Sequence, residues 1–316
     1  MSIASPVVWA AFIGFVLLML ALDLGVFHRR AHRVSLREAA VWSGVWVALS
    51  CLFALGMWRV AGSEPALEFF TGYVLEKALS VDNLFVILAI MQGFAVPSEA
   101  QHKVLVWGVL GALVMRAILI AAGTALLALG TWVLFGFGII LVIGAVKLLL
   151  QKDSPSAKKN GLLERAVRKV LPVTDGFRGA AFVVTEQGKR FATPLLLALV
   201  SIEAADLVFA VDSIPAVFSV TRDPFIVFTS NIFAILGLRS LFFVLAGALD
   251  TFHLLRFGLA AVLAFVGAKM MFTNWVHLPI GVSLGVICSM LLISVLASLK
   301  YPRKPVEAEM AASTVR

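Results

Sequence analysis

Charged residues are scarce in this chain, 14% of 316 positions against about a quarter in an ordinary soluble domain. With 61% hydrophobic residues and a mean hydropathy of +1.01, that scarcity excludes a soluble globular protein and leaves a polytopic membrane protein. Cysteine is nearly absent. Cys51 and Cys288 stand in separate apolar runs, which excludes a disulfide framework or a soft-metal cluster and reads as two small buried apolar residues. The five histidines (His28, His32, His102, His253 and His277) fall at expected helix ends or loops, so interfacial solvation is the simpler account of them than metal binding.

What is present is apolar length. Runs of about 20 residues, enough to cross a hydrocarbon core of roughly 30 Å, fall near 7–27, 39–60, 69–92, 104–128, 131–150, 193–220, 225–247, 256–274 and 279–299. The expected fold is all-α, a membrane protein of about nine transmembrane helices. The first run has no basic stretch before it, and Arg29, Arg30, Arg33 and Arg37 follow it, which marks a start with the N-terminus outside rather than a cleaved signal. With that start the inner segments hold nearly all the loop cations, nine of them between Lys152 and Arg190, and the outer loops hold only Arg222. The asymmetry predicts N-outside, C-inside. It also accounts for the net charge of +8, so no nucleic-acid partner is expected.

The chain divides into two N-terminal helices (1–68), a three-helix unit (69–150), a cytoplasmic loop (151–192), a second three-helix unit (193–275), and a last helix with its tail (276–316). In the loop, Gly161–Val170 reads as a short basic surface helix, and FVVT-EQGK-RFAT as two short strands about a Gln187-Gly188 turn. Residues 308–316 read as a frayed tail.

The two units share landmarks in the same order. The third helix carries Glu76 and then Val81-Asp82-Asn83; the sixth carries Asp206 and then Val211-Asp212-Ser213, with the same spacing from acid to acid. Each following helix has a lone arginine, Arg116 or Arg239, and the next ends in Gly144-Ala145-Val146-Lys147 or Gly267-Ala268-Lys269. Units with an odd number of spans must lie upside down relative to each other, the arrangement of transporters whose substrate site sits near the midplane.

An ionised Asp at the centre of a membrane helix costs roughly 2.5–3.5 kcal/mol on insertion scales, so these acids need a partner or a cation. Helical geometry puts Glu76, Ser80 and Asn83 on one stripe and aligns Asp206 with Ser213, with Glu203 about 60° away. Asp82 and Asp212 project to the side. Either each helix shows polar groups to two partners or it opens locally, and Pro215, which cannot donate to the Val211 carbonyl, favours opening. The candidate ligands Glu76, Asp82, Asn83, Glu203, Asp206, Asp212 and Ser213 are all hard oxygen donors. That set suits Mg2+, Ca2+ or Mn2+. Arg116 and Arg239 are expected to pair with the carboxylates when no cation is bound; Lys77 neutralises Glu76 or a neighbouring helix. Lys147 and Lys269, close to helix ends, read as snorkelling cations.

FFTGYVLEKALSVDN and AVDSIPAVFSVTRDPFIVFTSNIFAILGLRSLFFVL resemble the TerC family of bacterial membrane proteins, most closely its Alx-type branch, and the resemblance covers nearly the whole chain. The resemblance implies export of Mn2+ as transported substrate across the bacterial cytoplasmic membrane, with the family's motif acids on Glu76, Asp82, Glu203, Asp206 and Asp212. The chain is not expected to be an enzyme. Two other readings stay open: an intramembrane aspartyl protease, against which stands the missing GxGD loop, and a non-transporting partner in metallation of secreted proteins.

Overall fold

The computed structural model describes residues 2–27, 36–130, 132–150, 172–186, 188–246, 254–273, 275 and 278–301. The expected surface helix at 161–170 and the tail at 308–316 lie outside the described residues. In chain order the elements are α1 (Pro6–Phe27), α2 (Leu36–Ala61), α3 (Ser63–Gly93), α4 (Ser98–Leu127), α5 (Trp132–Leu150), β1 (Val183–Glu186), β2 (Lys189–Ala192), α6 (Pro194–Phe218), α7 (Pro224–Ile235), α8 (Leu238–Ala246), α9 (Leu255–Met271) and α10 (Ile280–Lys300). By length and composition, α2, α4, α5, α6 and α10 can each cross a membrane.

The interruption lies elsewhere than the sequence indicates. α3 is continuous through Asp82-Asn83, and α6 is continuous through Pro215 to Phe218. Pro215 is only one turn from the end, and the turn that follows is held by the buried side chains of Ala216, Val217 and Phe218. The break falls instead inside the expected seventh span, between α7 and α8. There Gly237 has φ +85°, a left-handed conformation that glycine adopts without a Cβ penalty. The Trp46 ring of α2 packs so closely that a Cβ at 237 would sit 2.7 Å from it. Both cysteines are free and exposed, on α2 and α10, not buried as their composition indicates, because each lies on an outward helix face.

At one end of the bundle, Asp223 caps α7 by accepting from the amides of Phe225 and Ile226, with Pro224 at the first helical position. The same carboxylate accepts from the Ile3 amide, which ties the N-terminal residues to this end. At the other end the expected hairpin is present, β1 and β2 pairing antiparallel with Glu186 opposite Lys189 and Gly188 at φ +76°. Lys103 near the start of α4 holds it, donating to the Ala180 carbonyl at 2.7 Å and lying over the Phe182 ring.

Between these ends α3 and α6 run together through the centre. α3 packs on α6 and α7, α4 packs on α6 and α7, and α5 lies along α9. Phe12, Phe53, Phe69, Phe225 and Phe233 interlock α1, α2, α3 and α7 near the N-terminal end.

Candidate functional site

Arg116, on α4, is wholly buried. Its guanidinium reaches three other helices. Nη1 donates to Glu76 Oε1 on α3 and, at 2.9 Å, to Asn231 Oδ1 on α7. Nη2 donates to Asp206 Oδ1 on α6 at 3.0 Å, and Nε faces Asp206 Oδ2 at 3.4 Å. The planar fork of arginine suits this two-pronged grip on a carboxylate. One positive charge thus serves two acids. Glu76 Oε2 and Asn231 Nδ2 stay buried with no hydrogen-bond partner.

Glu203 lies one turn before Asp206 and rests against Gly108 and Gly111 of α4; a Cβ at 111 would collide with its carboxylate. Its Oε1 is buried and has no hydrogen-bond partner.

A second polar cluster lies around a cavity of about 70 Å³ lined by Asn83, Gly144, Lys147, Asp212 and Ser213 among apolar residues. Asp212 approaches α5 at Gly144, where a Cβ would stand 3.3 Å from its carboxyl group. The Ser213 and Ser80 hydroxyls are buried without partners.

The expected single cluster is therefore two. Glu76, Asp206 and Glu203 gather on the α4 side; Asn83, Asp212 and Ser213 gather on the α5 side. Rotation separates Asp206 from Asp212, since six residues turn by about 600°, whereas Asn83 and Ser213 share the stripes of Glu76 and Asp206 and are set apart along the helix axis, about two turns further on. The polar groups serve two partners and no local opening is needed. The side chains of Asp82 and Arg239 lie outside the described residues. Among the described residues, no three His, Cys, Asp or Glu side chains converge as a metal-binding group.

Of the two alternatives for Lys77 the contact made is with a neighbouring helix, and Lys147 departs from its expectation. Among the described residues Lys77 pairs with no carboxylate; its Nζ donates to the Ala234 carbonyl of the neighbouring α7 at 3.1 Å. In an unbroken helix that carbonyl would accept from residue 238, so the break at Gly237 supplies the acceptor. Lys147 does not simply snorkel, because it lines the cavity shared with Asp212. Its place in the matched Gly-Ala-Val-Lys landmark was the available signal. Asn231 went unnoticed as a lone amide in an apolar run; an unexplained amide opposite a lone arginine was the clue.

The model of the family described as "Integral membrane protein TerC family" matches residues 61–305, which spans both polar clusters. The chain belongs to the TerC family. Among its relatives, an "Uncharacterized membrane protein STKORF319" of Myxococcus xanthus is 53% identical over 94% of this chain and 93% of its own length. A protein named "Putative membrane-bound redox modulator Alx" of Photorhabdus laumondii is 45% identical over 94% of this chain and 96% of its own. Its namesake in Escherichia coli K12 is 44% identical over 93% and 94%. No solved structure matches. The TerC assignment accords with the resemblance in the two acidic segments and with a multi-pass protein in a bilayer.

Proposed function

We propose that this TerC protein is a non-enzymatic transporter that exports hard divalent cations, foremost Mn2+, from the bacterial cytoplasm across the inner membrane. The observation that carries the reading is the buried Arg116 held between Glu76 and Asp206. An internal counter-charge on two acids is what an arriving dication or protons would displace. The fold proposed with it has nine crossings, α1 to α6, the α7–α8 pair, α9 and α10, with the N-terminus outside. The N-terminal residues and the 219–223 connection lie at one end and the Lys103-anchored hairpin at the other, and the positive-inside count is what supports placing the hairpin end inside.

An inverted repeat of α3–α5 and α6–α9 belongs to the same proposal. Glu76 and Asp206 hold corresponding positions and meet on one arginine. α3 lies on α7 as its counterpart α6 lies on α4, and α5 lies on its counterpart α9. The broken α7–α8 helix, with Lys77 on its freed carbonyl, has the character of discontinuous helices near transporter sites.

The test is Mn2+ flux in proteoliposomes holding only this chain, with Mg2+, Ca2+ and Co2+ as competitors. Mn2+ is expected to be carried preferentially, and Asp206→Asn or Asp212→Asn to abolish the flux while the protein still inserts. Equal handling of all four metals would remove the manganese assignment. No flux at all would favour the metallation-partner reading instead. A dithiol redox role draws no support from Cys51 and Cys288, which are free and on separate helices.

A further inference from the structure

The exchange proposed above gives Lys77 no task. Its side chain leaves α3 near the middle of that helix, next in the chain to Glu76, yet Glu76 is held by Arg116 and Lys77 by a backbone carbonyl. An ammonium at membrane depth is expensive and needs a partner. Here the partner is a helix end.

α7 stops at Ile235, and the chain turns at Gly237 before α8 begins at Leu238. A helix leaves its last four carbonyls without intrahelical partners, and their aligned dipoles make that end negative by about half a charge. Of the four in α7, the Ile232 carbonyl accepts from the Leu236 amide and the Ala234 carbonyl accepts from Lys77 Nζ at 3.1 Å. An ammonium carries three donors, so one carbonyl does not exhaust it. Bulk water does not serve this break, because every residue from Ile232 to Leu236 is buried, none more than 2% exposed. Close packing brings the lysine there: a Cβ at Gly72 of α3 would meet Ser230 Oγ of α7 at 2.9 Å. One turn beyond Lys77 on α3, the Ser80 hydroxyl is buried with no partner.

The carbonyl end of a half-helix inside a membrane is where discontinuous-helix transporters hold a coupling Na+. In this chain a positive charge already stands there, and it is covalently attached. A helix end worth about half a charge, with no carboxylate on Lys77 among the described residues, suits a single positive charge rather than a double one. We infer that the end of α7 is a monovalent-cation site occupied by the protein's own ammonium: Lys77 takes the position of a coupling Na+ and makes the chain independent of that ion. As a statement about coupling this rests on the function proposed above; as a statement about what the helix end binds it does not.

Lys77→Met keeps most of the stem and removes the ammonium. The full chain, in detergent free of divalent ions, is melted by tryptophan fluorescence in N-methylglucamine chloride and in NaCl or KCl at equal ionic strength. The natural protein is expected to melt at one temperature in all three. Lys77→Met is expected to melt lower in N-methylglucamine and to regain roughly 2–4 °C, saturably, in Na+ or K+. Lys77→Gln, which keeps a donor for Ala234 and loses only the charge, is expected to respond in the same direction and serves where methionine prevents folding. Lys103→Gln, which takes a lysine off the Ala180 carbonyl at the hairpin, is expected to show no dependence on the ion. A response in the natural protein, no response in either Lys77 variant, or an equal response in Lys103→Gln would each overturn the site. Mn2+ flux in proteoliposomes is read in the same salts, and is expected to need Na+ or K+ in Lys77→Met only; a natural protein that needs Na+ would overturn the coupling role. A melting response without any Mn2+ flux supports the site while removing the exporter reading.

Discussion

At position 116 a single guanidinium is divided between Glu76 and Asp206, so removing it leaves two carboxylates buried in one space. Breaking a buried pair from one side typically costs about 3–5 kcal/mol. Arg116→Met should therefore lower the thermal midpoint in detergent markedly, and added Mn2+ should recover more stability in this variant than in the natural protein. Tryptophan fluorescence melts would read both effects; a variant that melts with the natural protein and ignores Mn2+ would deny that Arg116 stands in for a cation. Lys147→Gln should behave differently. It removes a charge beside Asp212 but leaves α5 packed on α9, so flux should change while the melting point stays nearly constant. Much of this scale was legible in the sequence. The repeated spacing of acids and the lone arginine in each unit marked Arg116 as a partner for the helix carboxylates, without saying which. Which acids share a neighbour was not legible, because it depends on how α3 and α6 are rotated about their axes, and only packing fixes that.

The element that departs most from expectation is the α7–α8 pair. Proline was the visible breaker, yet Pro215 sits too near the end of α6 to interrupt it. The real break is at Gly237, an ordinary-looking glycine in an apolar run, and its cause is tertiary: the Trp46 ring occupies the side where a Cβ would go. Gly237→Ala should cost about 1–3 kcal/mol from backbone strain, with the contact adding to it. Trp46→Leu in the same chain should recover the contact part and not the strain, a difference that paired melts can resolve. The hairpin, by contrast, was readable from alternation and a Gln-Gly turn, since a two-residue loop sets its own register. Its attachment was not. Lys103→Gln should loosen it from α4 and speed tryptic cleavage at Arg178, Lys189 and Arg190 severalfold; an unchanged digestion rate would mean the Ala180 contact holds nothing.

For the molecule as a whole, the positive-inside count and the fold make one joint prediction. In a cysteine-free background, Arg222→Cys and Ser2→Cys should react with an impermeant maleimide from outside intact cells or spheroplasts. Thr185→Cys should react only after the membrane is opened. Reaction of the hairpin position from outside would invert the topology and, with it, the direction assigned to export.

The link between Glu76 and Arg116 also bears on how the chain is made. These residues sit on consecutive helices, α3 and α4, so they can find each other while the ribosome is still synthesising α6. The first half of the protein can thus enter the lipid with Glu76 already matched, and Asp206 arrives later to a waiting guanidinium. Biogenesis would then proceed by adding a second half to a first one whose Glu76–Arg116 pair is already made.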